Sequence, residues 1–364
     1  MKKLMLSTLI VIFCICLLPV QGLPCSSFVL DSGTSAVVGK NFDHYTDAGL
    51  LTINKRGVEK KTMAQAPDAV LTWTSKFGSV TFTFFSLEFP FGGMNEAGLV
   101  IESMGNISGT EYPEPDSRPA IGGFKWVQYQ LDNCSTVDEV IASDKIMRIP
   151  QTEIRKEMQH FLVTDSMGNS ASIEWLDGKM VCHTGDAFQV KVLTNNTYDQ
   201  SLSFLRWFKG FGGIFPIPNP IFYRGSLVRF VRAADMLRKY DLQIPGPAID
   251  YAFDISSSVA QLGQGDTQTR WSIVYDTANH SIYFRTIGND KLRYFNLSSF
   301  DFSCTTPVKA LDINADLSGD VTSSFVDYTE EMGRELLKKY MPPMTEDEIN
   351  LVVTYPDKYT HCTE

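Results

Sequence analysis

Metal-binding residues are sparse in this 364-residue sequence. It contains five histidines, and none of its seven cysteines belongs to a CxxC pair. Cysteine and histidine come together only as the adjacent pairs Cys182-His183 and His361-Cys362, which is not the spacing of a zinc site. We therefore predict no metal site.

Positive charge is also in short supply. Lys and Arg total 32 against 42 Asp and Glu, which gives a formal net charge of −10 at pH 7. Proteins that bind the phosphate backbone of nucleic acids usually carry an excess of positive charge. The charge balance therefore argues against nucleic acid as a partner.

The sequence lacks a hydrophobic run long enough to span a bilayer. The run from Leu4 to Leu18 falls short of the about 20 apolar residues that a transmembrane helix needs. It follows two lysines, an order that is typical of a secretory signal peptide. We expect cleavage after Gly22 and trimming of Leu23-Pro24, so that residues 1–24 are a signal peptide with a short pro-segment.

Export would leave residues 25–364, which we predict to form a single domain without a membrane span. The protein would then be periplasmic or extracellular, or would lie in the secretory pathway or lysosome of a eukaryotic cell. Five Asn-x-Ser/Thr sequons keep the eukaryotic alternative open. They lie at Asn106, Asn133, Asn195, Asn279 and Asn296.

Cysteine is present in an odd number once the leader is removed, because Cys14 and Cys16 leave with it. An odd number in an exported protein means that at least one thiol is unpaired or bonded to another chain. The remaining cysteines are Cys25, Cys134, Cys182, Cys304 and Cys362. If Cys25 is free, the other four allow three pairings, between which the sequence does not choose.

Hydrophobic patterning predicts an α+β fold with helices packed on antiparallel sheets. β-Hairpins or meanders are expected at residues 25–43, 160–183 and 269–286. Residues 122–145 have helical periodicity, with a capping box that begins at Ser135-Thr136.

The segment 226–240 is the clearest amphipathic helix, with Phe230 and Ala234 on its apolar face and Arg232 and Asp235 off it. The preceding Pro- and Gly-rich segment, 208–226, is predicted to be a surface loop. Its Phe and Ile residues could line a ligand site or fold back onto the core.

Cys25 would have its own base if it became the N-terminal residue. A free α-amino group has a pKa of about 7.7 to 8.0, close to the about 8.5 of a thiol, so it can accept the thiol proton near neutral pH. A cysteine thiolate is a strong nucleophile. The histidines have no recognisable cysteine-protease context, which favours the amine over an imidazole as base.

Cys25 is followed by a series of short motifs in a characteristic order. They are GKNFD at 39–43, GGMNEAGL at 92–99, VLTNN at 192–196, VRFVRAADML at 228–237 and WSIVYDTANHSIYFRT at 271–286. Together, along almost all of residues 25–364, they resemble the choloylglycine hydrolase family of N-terminal nucleophile hydrolases, which includes bile salt hydrolases and penicillin V acylases.

The resemblance implies a four-layer αββα sandwich and hydrolysis of a linear, non-peptide amide without a cofactor. Cys25 would attack the amide carbonyl, with its own α-amine as base. Asp43 would hold the amine and thiol, and Asn195 would donate its side-chain amide to the oxyanion. Arg229 would stabilise the surroundings of the nucleophile through Asp43.

Two positions depart from the pattern of this family. Lys40 stands where bile salt hydrolases usually carry arginine, which keeps the charge but loses the planar guanidinium fork. The second oxyanion position falls at Gly105 or Asn106, depending on one residue of alignment, and we assign it to Asn106. Bile salts and penicillin V are therefore not inherited as substrates.

The predicted partner is a small amide with an apolar acyl group, because residues 82–91 and 208–226 offer apolar walls. The family resemblance also suggests a homo-oligomer, often a tetramer. The alternatives are a secreted or lipid-anchored binding protein with the same fold, an acyltransferase, or an N-acyl homoserine lactone acylase. Lipidation would exclude catalysis, because both use the amine of Cys25.

Overall fold

The computed structural model describes residues 25–31, 36–63, 68–151, 158–220, 224–240, 247–262, 267–339 and 343–363. The predicted signal peptide and the Leu23-Pro24 segment lie outside these ranges. No helix within them is long and apolar enough to cross a membrane.

The strands of the described residues, in chain order, are the following. They are β1 Ser26–Asp31, β2 Ala36–His44, β3 Leu50–Asn54, β4 Val58–Lys61, β5 Thr72–Thr74, β6 Ser79–Thr83, β7 Gly92–Asn95, β8 Val100–Gly105, β9 Gln159–Thr164, β10 Ser170–Leu176, β11 Lys179–Thr184, β12 Val192–Leu193, β13 Gln268–Asp276, β14 Ser281–Thr286, β15 Arg293–Asn296, β16 Lys309–Asp312, β17 Gly319–Asp320, β18 Val326–Asp327 and β19 Thr360–Cys362.

The α-helices of the same residues are α1 Gly123–Asn133, α2 Val137–Ala142, α3 Tyr198–Leu205, α4 Ser226–Lys239, α5 Ala248–Val259, α6 Glu330–Lys338, α7 Glu346–Val353 and α8 Tyr355–Tyr359. The predicted hairpins, the meander and the long amphipathic helix are all confirmed. The capping box is also confirmed, because the Thr136 side chain accepts from the Glu139 amide while the Glu139 side chain accepts from the Thr136 amide.

Two large sheets form the centre of the molecule. The first has the order β12-β1-β2-β13-β14-β15-β17 and the second the order β11-β10-β9-β8-β7-β6-β3-β16-β18. Their pairings are antiparallel except for β15 with β17 at one edge. A small sheet, β19-β4-β5, joins the C-terminal segment to the body.

The two large sheets pack face to face, with helices outside them. The ring of Phe82 on β6 lies 6.1 Å from that of Tyr275 on β13 and 6.2 Å from that of Phe284 on β14. Helices α4 and α5 contact β1, β2 and β13 of the first sheet, and α1 contacts β7 and β8 of the second. The predicted α+β sandwich is therefore confirmed.

The edge strand β12 and the hairpin β1–β2 bring distant parts of the sequence to the start of β1. Ser27 pairs with Lys40 on one side and with Leu193 on the other. Continued by two residues, this register places Cys25 beside the end of β2 and beside Asn195. Gly39 is required in the hairpin, because a Cβ atom there would lie 2.1 Å from the ring of Phe28.

Helix α4 differs in one respect from the amphipathic pattern. Arg232 and Asp235, expected off the apolar face, are 2% and 4% exposed. The prediction of a polar face is wrong at these positions because α4 packs against α3, α5 and the first sheet, so that more than one of its faces is covered. The Asp235 carboxylate is paired with Lys239 at 2.6 Å.

The loop before α4 folds back onto the core in part, which was one of the two alternatives considered for it. Phe208 is buried in the core and forms a backbone bridge with Phe215. Ile214, in the same loop, is 79% exposed. The described contacts of this loop are therefore with the core and with solvent, and its role as an acyl wall stays a prediction.

Among the cysteines that the structure describes, Cys304 and Cys362 form a disulfide that ties β19 to the body, while Cys25, Cys134 and Cys182 are free. The bond closes a loop with a sequence separation of 58 residues. On loop entropy alone, replacing both bonded cysteines by serine should lower the free energy of unfolding by about 4 kcal/mol. Urea denaturation measures this, with Cys182→Ser as the control. An unchanged free energy of unfolding would contradict the assignment.

Candidate active site

Cys25 lies where β1, β12 and α4 meet. Its main-chain nitrogen donates a hydrogen bond to Oδ1 of Asn195 at 2.9 Å. Its carbonyl oxygen accepts one from Nη1 of Arg229 at 2.5 Å. Both main-chain groups of this residue are therefore held by side chains that the sequence analysis assigned to the site.

Arg229 connects the predicted site residues to one another. It also donates to the hydroxyl of Ser26 and to Oδ1 of Asn195, both at 2.5 Å, and Nη1 lies 3.7 Å from Oδ2 of Asp43. The guanidinium is fully buried, and this burial lowers its pKa, while Asp43 and Cys25 act in the opposite direction. A planar fork that reaches several acceptors at once explains arginine here, because lysine could not reach them together.

Asp43 is a buried carboxylate at the end of β2. Burial raises its pKa to about 6, against the lowering effects of Arg229, of the Thr269 hydroxyl and of Lys40. Thr269 faces Asp43 across the β2–β13 ladder and donates to Oδ1 at 2.5 Å. The carboxylate is therefore ionised at neutral pH and protonated in mild acid.

Asn195 follows β12. The oxygen and the nitrogen of its carboxamide each have a hydrogen-bond partner, and these partners determine the orientation of the group. Oδ1 accepts from Cys25 and Arg229, and Nδ2 donates to the carbonyl of Gly105 at 2.7 Å. The side chain thus directs its oxygen toward the main-chain nitrogen of Cys25. Donation from Nδ2 to an oxyanion stays a prediction.

Asn106 lies next to Gly105, which binds Asn195. Its Oδ1 accepts from the amide of Ser108, whereas Nδ2 is buried and has no hydrogen-bond partner among the described residues. A buried donor without a partner costs free energy, which a bound acceptor would recover. Asn106 and Asn195 are 1% and 0% exposed, so a glycan at either sequon is incompatible with this fold.

Lys40 is the positively charged residue that lowers the pKa of the Cys25 thiol most. Its ammonium group donates to the carbonyl of Ser103 at 2.5 Å and lies 3.5 Å from Glu102. Tyr275 donates to the same carboxylate. Burial raises the pKa of Glu102, against the lowering effects of Lys40 and Tyr275. The buried Lys40 is therefore paired with a buried carboxyl group, that of Glu102.

The Cys25 thiol is itself fully buried. Burial raises its pKa, while Lys40 and Arg229 lower it and the charge of Asp43 raises it further. His44, the histidine nearest in sequence, has its pKa lowered to about 3 by burial and by Arg270, and its ring lies 4.9 Å from that of Phe42. His44 is therefore a neutral part of the aromatic packing.

An aromatic cluster adjoins these residues. The Phe91 ring lies 4.9 Å from Nζ of Lys40 and 4.9 Å from the ring of Phe42. The rings of Phe84 and Phe124 lie 5.6 Å and 6.2 Å from that of Phe91. The segment 84–91, part of the predicted apolar wall, therefore packs beside the strand that carries Lys40 and Asp43.

Comparison with known proteins identifies the family. A model of the linear amide C-N hydrolases, choloylglycine hydrolase family, matches residues 25–216, which is more than half of the chain. The chain belongs to the choloylglycine hydrolase family. It is therefore a hydrolase of C-N bonds in linear amides, and the alternative of a non-enzymatic binding protein is set aside.

Individual relatives agree with this membership. A penicillin V acylase of Pectobacterium atrosepticum is 29% identical over 280 residues, covering 67% of this chain and 73% of that protein. The structure of a penicillin V acylase from Agrobacterium tumefaciens has a TM-score of 0.71 and 27% identity, covering 84% of this chain and 98% of that one. A variant of the conjugated bile acid hydrolase of Clostridium perfringens, at 18% identity and a TM-score of 0.67 over 81% and 98% of the two chains, shares the fold.

The structure adds residues to this choloylglycine hydrolase site that the sequence analysis missed. They are Ser26, Glu102, Thr269 and Tyr275. Glu102 had a signal in the sequence, because an acid within the apolar strand pattern AGLVIESM needs a buried partner. Thr269 had none, since its role depends on the register between β2 and β13.

Removal of the Thr269 hydroxyl tests the protonation state of Asp43. Because it donates to the carboxylate, it favours the ionised form, and Thr269→Val should raise the pKa of Asp43 above about 6. If catalysis needs ionised Asp43, activity falls below that pH, and the variant should move this acid limb upward by about half a pH unit to one unit. Profiles of kcat/KM against pH measure the shift. Thr277→Val, which removes a buried hydroxyl bonded to Ala36 instead, should leave the limb in place.

Proposed function

We propose that the protein is exported, that Cys25 becomes its N-terminal residue, and that it hydrolyses N-acylated small molecules with an apolar acyl group. The observation that carries the proposal is the capture of both main-chain groups of Cys25, its nitrogen by Asn195 and its carbonyl by Arg229. Hydrogen bonds that hold the main chain of Cys25 in place are expected if its nitrogen acts as the base in the reaction. The family match also begins at Cys25.

In the proposed reaction the α-amine accepts the proton of the Cys25 thiol, and the sulfur attacks the amide carbonyl carbon. The oxyanion receives hydrogen bonds from Asn106 and Asn195, and comparable donors contribute on the order of 2.7 to 4 kcal/mol. The C–N bond breaks as the ammonium returns its proton to the leaving nitrogen. Water, deprotonated by the same amine, then attacks the thioester carbonyl. The C–S bond breaks, the carboxylic acid is released, and the ammonium group returns the proton to the Cys25 sulfur.

Export is supported by the disulfide between Cys304 and Cys362, because such bonds persist in oxidising compartments. The periplasm or the extracellular space supplies that environment, as does the secretory pathway of a eukaryotic cell. Cleavage before Cys25 would also add a positive α-ammonium group, which lowers the pKa of the adjacent thiol.

The substrate class rests on the aromatic cluster beside Lys40. Phe42, Phe84, Phe91 and Phe124 form a buried, polarisable apolar cluster on and beside the strand that carries Lys40, and an acyl pocket next to it would favour an aryl or alkyl group. Lys40 is a single, compact charge, so this position does not supply the bidentate recognition of a carboxylate that arginine would. Penicillin V, whose acylases are among the relatives, is thus a candidate, as are other N-acyl amides.

A panel of amides tests the proposal. The sample is purified protein whose measured mass corresponds to a chain that starts at Cys25. It is incubated with penicillin V, N-acyl amino acids, N-acyl homoserine lactones and conjugated bile salts, and the released amine is quantified. We expect turnover of compounds with aryl or alkyl acyl groups. Acyl transfer would instead appear as a new amide when a second amine is added. Failure of every compound to react would contradict the substrate class.

Intact-mass measurement of protein recovered from its native host tests the processing. We expect the mass of a chain that starts at Cys25 and has an unmodified α-amine. Retained Leu23-Pro24, or an acyl group on Cys25, would overturn the proposed mechanism. The family resemblance further leads us to propose a homo-oligomer, which sedimentation equilibrium of the same sample measures.

A further inference from the structure

A histidine and a glutamate form a buried pair beside the segment 194–198, which contains Asn195. His160 on β9 and Glu174 on β10 are both fully buried. Nδ1 of His160 lies 2.9 Å from Oε1 of Glu174, and Nε2 lies 2.6 Å from the carbonyl oxygen of Thr194. Both ring nitrogens are therefore engaged, one by a carboxyl group and the other by the residue that precedes Asn195.

The partners of His160 determine where its protons are. A carbonyl oxygen only accepts, so Nε2 must carry a hydrogen and donate it to Thr194. The short contact between Nδ1 and Glu174 then needs one further proton, on either the imidazole or the carboxyl group, because two bare acceptors would repel each other. The pair thus shares one proton and has no net charge in either form.

The same pair holds the segment from Thr194 to Tyr198 at both ends. Oε2 of Glu174 accepts from the main-chain nitrogen of Tyr198 at 3.1 Å, in the first turn of α3. At the other end, His160 holds Thr194. Between them, the main-chain nitrogen of Asn195 donates to Oγ of Ser226 at 2.8 Å. The backbone that carries the Asn195 carboxamide is therefore fixed by buried hydrogen bonds rather than by a regular element.

We propose that His160 and Glu174 are positioning residues for Asn195, and that their shared proton keeps the Asn195 carboxamide in register with Cys25 and the reacting carbonyl. The inference rests on the proposed function, in which Asn195 serves the nucleophile. A buried pair that neither touches Cys25 nor carries net charge acts through geometry. Its loss should therefore lower kcat more than it changes KM.

Two substitutions by glutamine, which keeps one hydrogen-bond donor and one acceptor group, test the shared proton. In His160→Gln the amide nitrogen can still donate to Thr194, but the amide oxygen then faces the Glu174 carboxylate, and the turn should shift. We expect kcat to fall on the order of 10- to 100-fold with KM within about twofold. Adding Glu174→Gln restores a donor to that oxygen and an acceptor for Tyr198. The double variant should recover kcat to within about threefold of the wild type.

His183→Gln is the control: His183 lies on the neighbouring strand β11, bonds to the Ser172 hydroxyl and packs 4.7 Å from the Tyr198 ring, but its described hydrogen bonds do not include the main chain of residues 194–198. It should leave kcat unchanged. Folding of each variant is checked by thermal unfolding. Recovery in the double variant would separate positioning from a general loss of stability, because a merely structural pair would change the unfolding temperature while kcat per folded molecule stayed constant.

The rate at which iodoacetamide alkylates Cys25, followed by peptide mass spectrometry, provides a readout that needs no substrate. Failure of wild-type protein on every amide would count against the proposed function, whereas the alkylation rates would still test the positioning. We expect a changed rate in His160→Gln and the wild-type rate in the double variant. Wild-type kcat and alkylation in His160→Gln, or equal losses in the single and double variants, would overturn the inference.

Discussion

Replacing Cys25 by serine should reduce kcat/KM for amide hydrolysis by about 10⁴-fold or more, in line with the removal of a nucleophile from other acyl-transfer enzymes. Serine keeps the size of the side chain, but its hydroxyl has a far higher pKa than a thiol. The α-amine, with a pKa of about 7.7 to 8.0, cannot deprotonate it to a comparable extent. Steady-state hydrolysis of the best substrate from the amide panel measures the loss.

The effect of Cys25→Ser should be chemical rather than structural. The substituted serine would retain the main-chain bonds to Asn195 and Arg229, so the unfolding temperature should stay close to that of the wild type. Cys182→Ser is the control, because Cys182 is also a free cysteine but is not part of the site. It should be fully active, and a Cys25→Ser enzyme that turns over at the wild-type rate would refute the assignment of the nucleophile.

A chain that keeps residues before Cys25 should be nearly inactive. An amide nitrogen in a peptide bond is not basic, so the thiol has no proton acceptor at its own residue. General-base catalysis typically contributes about 10²- to 10⁴-fold, and we expect a loss of about 10³-fold. The test is a chain that carries a specific protease site ending directly before Cys25, assayed before and after cleavage.

Activity of that chain should rise in step with the mass change that marks exposure of the Cys25 amine. A matched chain whose protease site is scrambled should stay inactive under the same treatment. The hydrogen bond from the Cys25 nitrogen to Asn195 is available to both an amide and an amine, so cleavage need not rearrange the site. Equal turnover before and after cleavage would show that the base lies elsewhere.

The candidate site residues could be proposed from the sequence because most of them lie in short, contiguous motifs. Asp43 and Lys40 share one strand, and Asn195 closely follows another, so their local context shows in the sequence itself. The structure brings Cys25, Asp43, Asn195 and Arg229 together, and the charge of Lys40 acts on the same thiol. The catalytic roles of these residues, and that of Asn106, remain predictions that the experiments above address.

Contacts that depend on pairing between distant strands could not be predicted from the sequence. Thr269 reaches Asp43 only because β13 pairs with β2 in one register, and a shift by one residue would turn its hydroxyl to the opposite face. Arg232 illustrates the same limit in a helix. Its periodicity placed it away from the apolar face, yet packing of α4 between neighbouring elements buried it.

By itself, the sequence determined the candidate nucleophile, the family and the α+β class, because these follow from motif order, residue chemistry and the period of apolar residues. The tertiary structure alone decided which end of the Asn195 carboxamide faces Cys25, which acid neutralises Lys40, and which cysteines are bonded. The physical reason is that orientation, ion pairing and disulfide bonding depend on distances of a few ångströms between residues that are far apart in the chain.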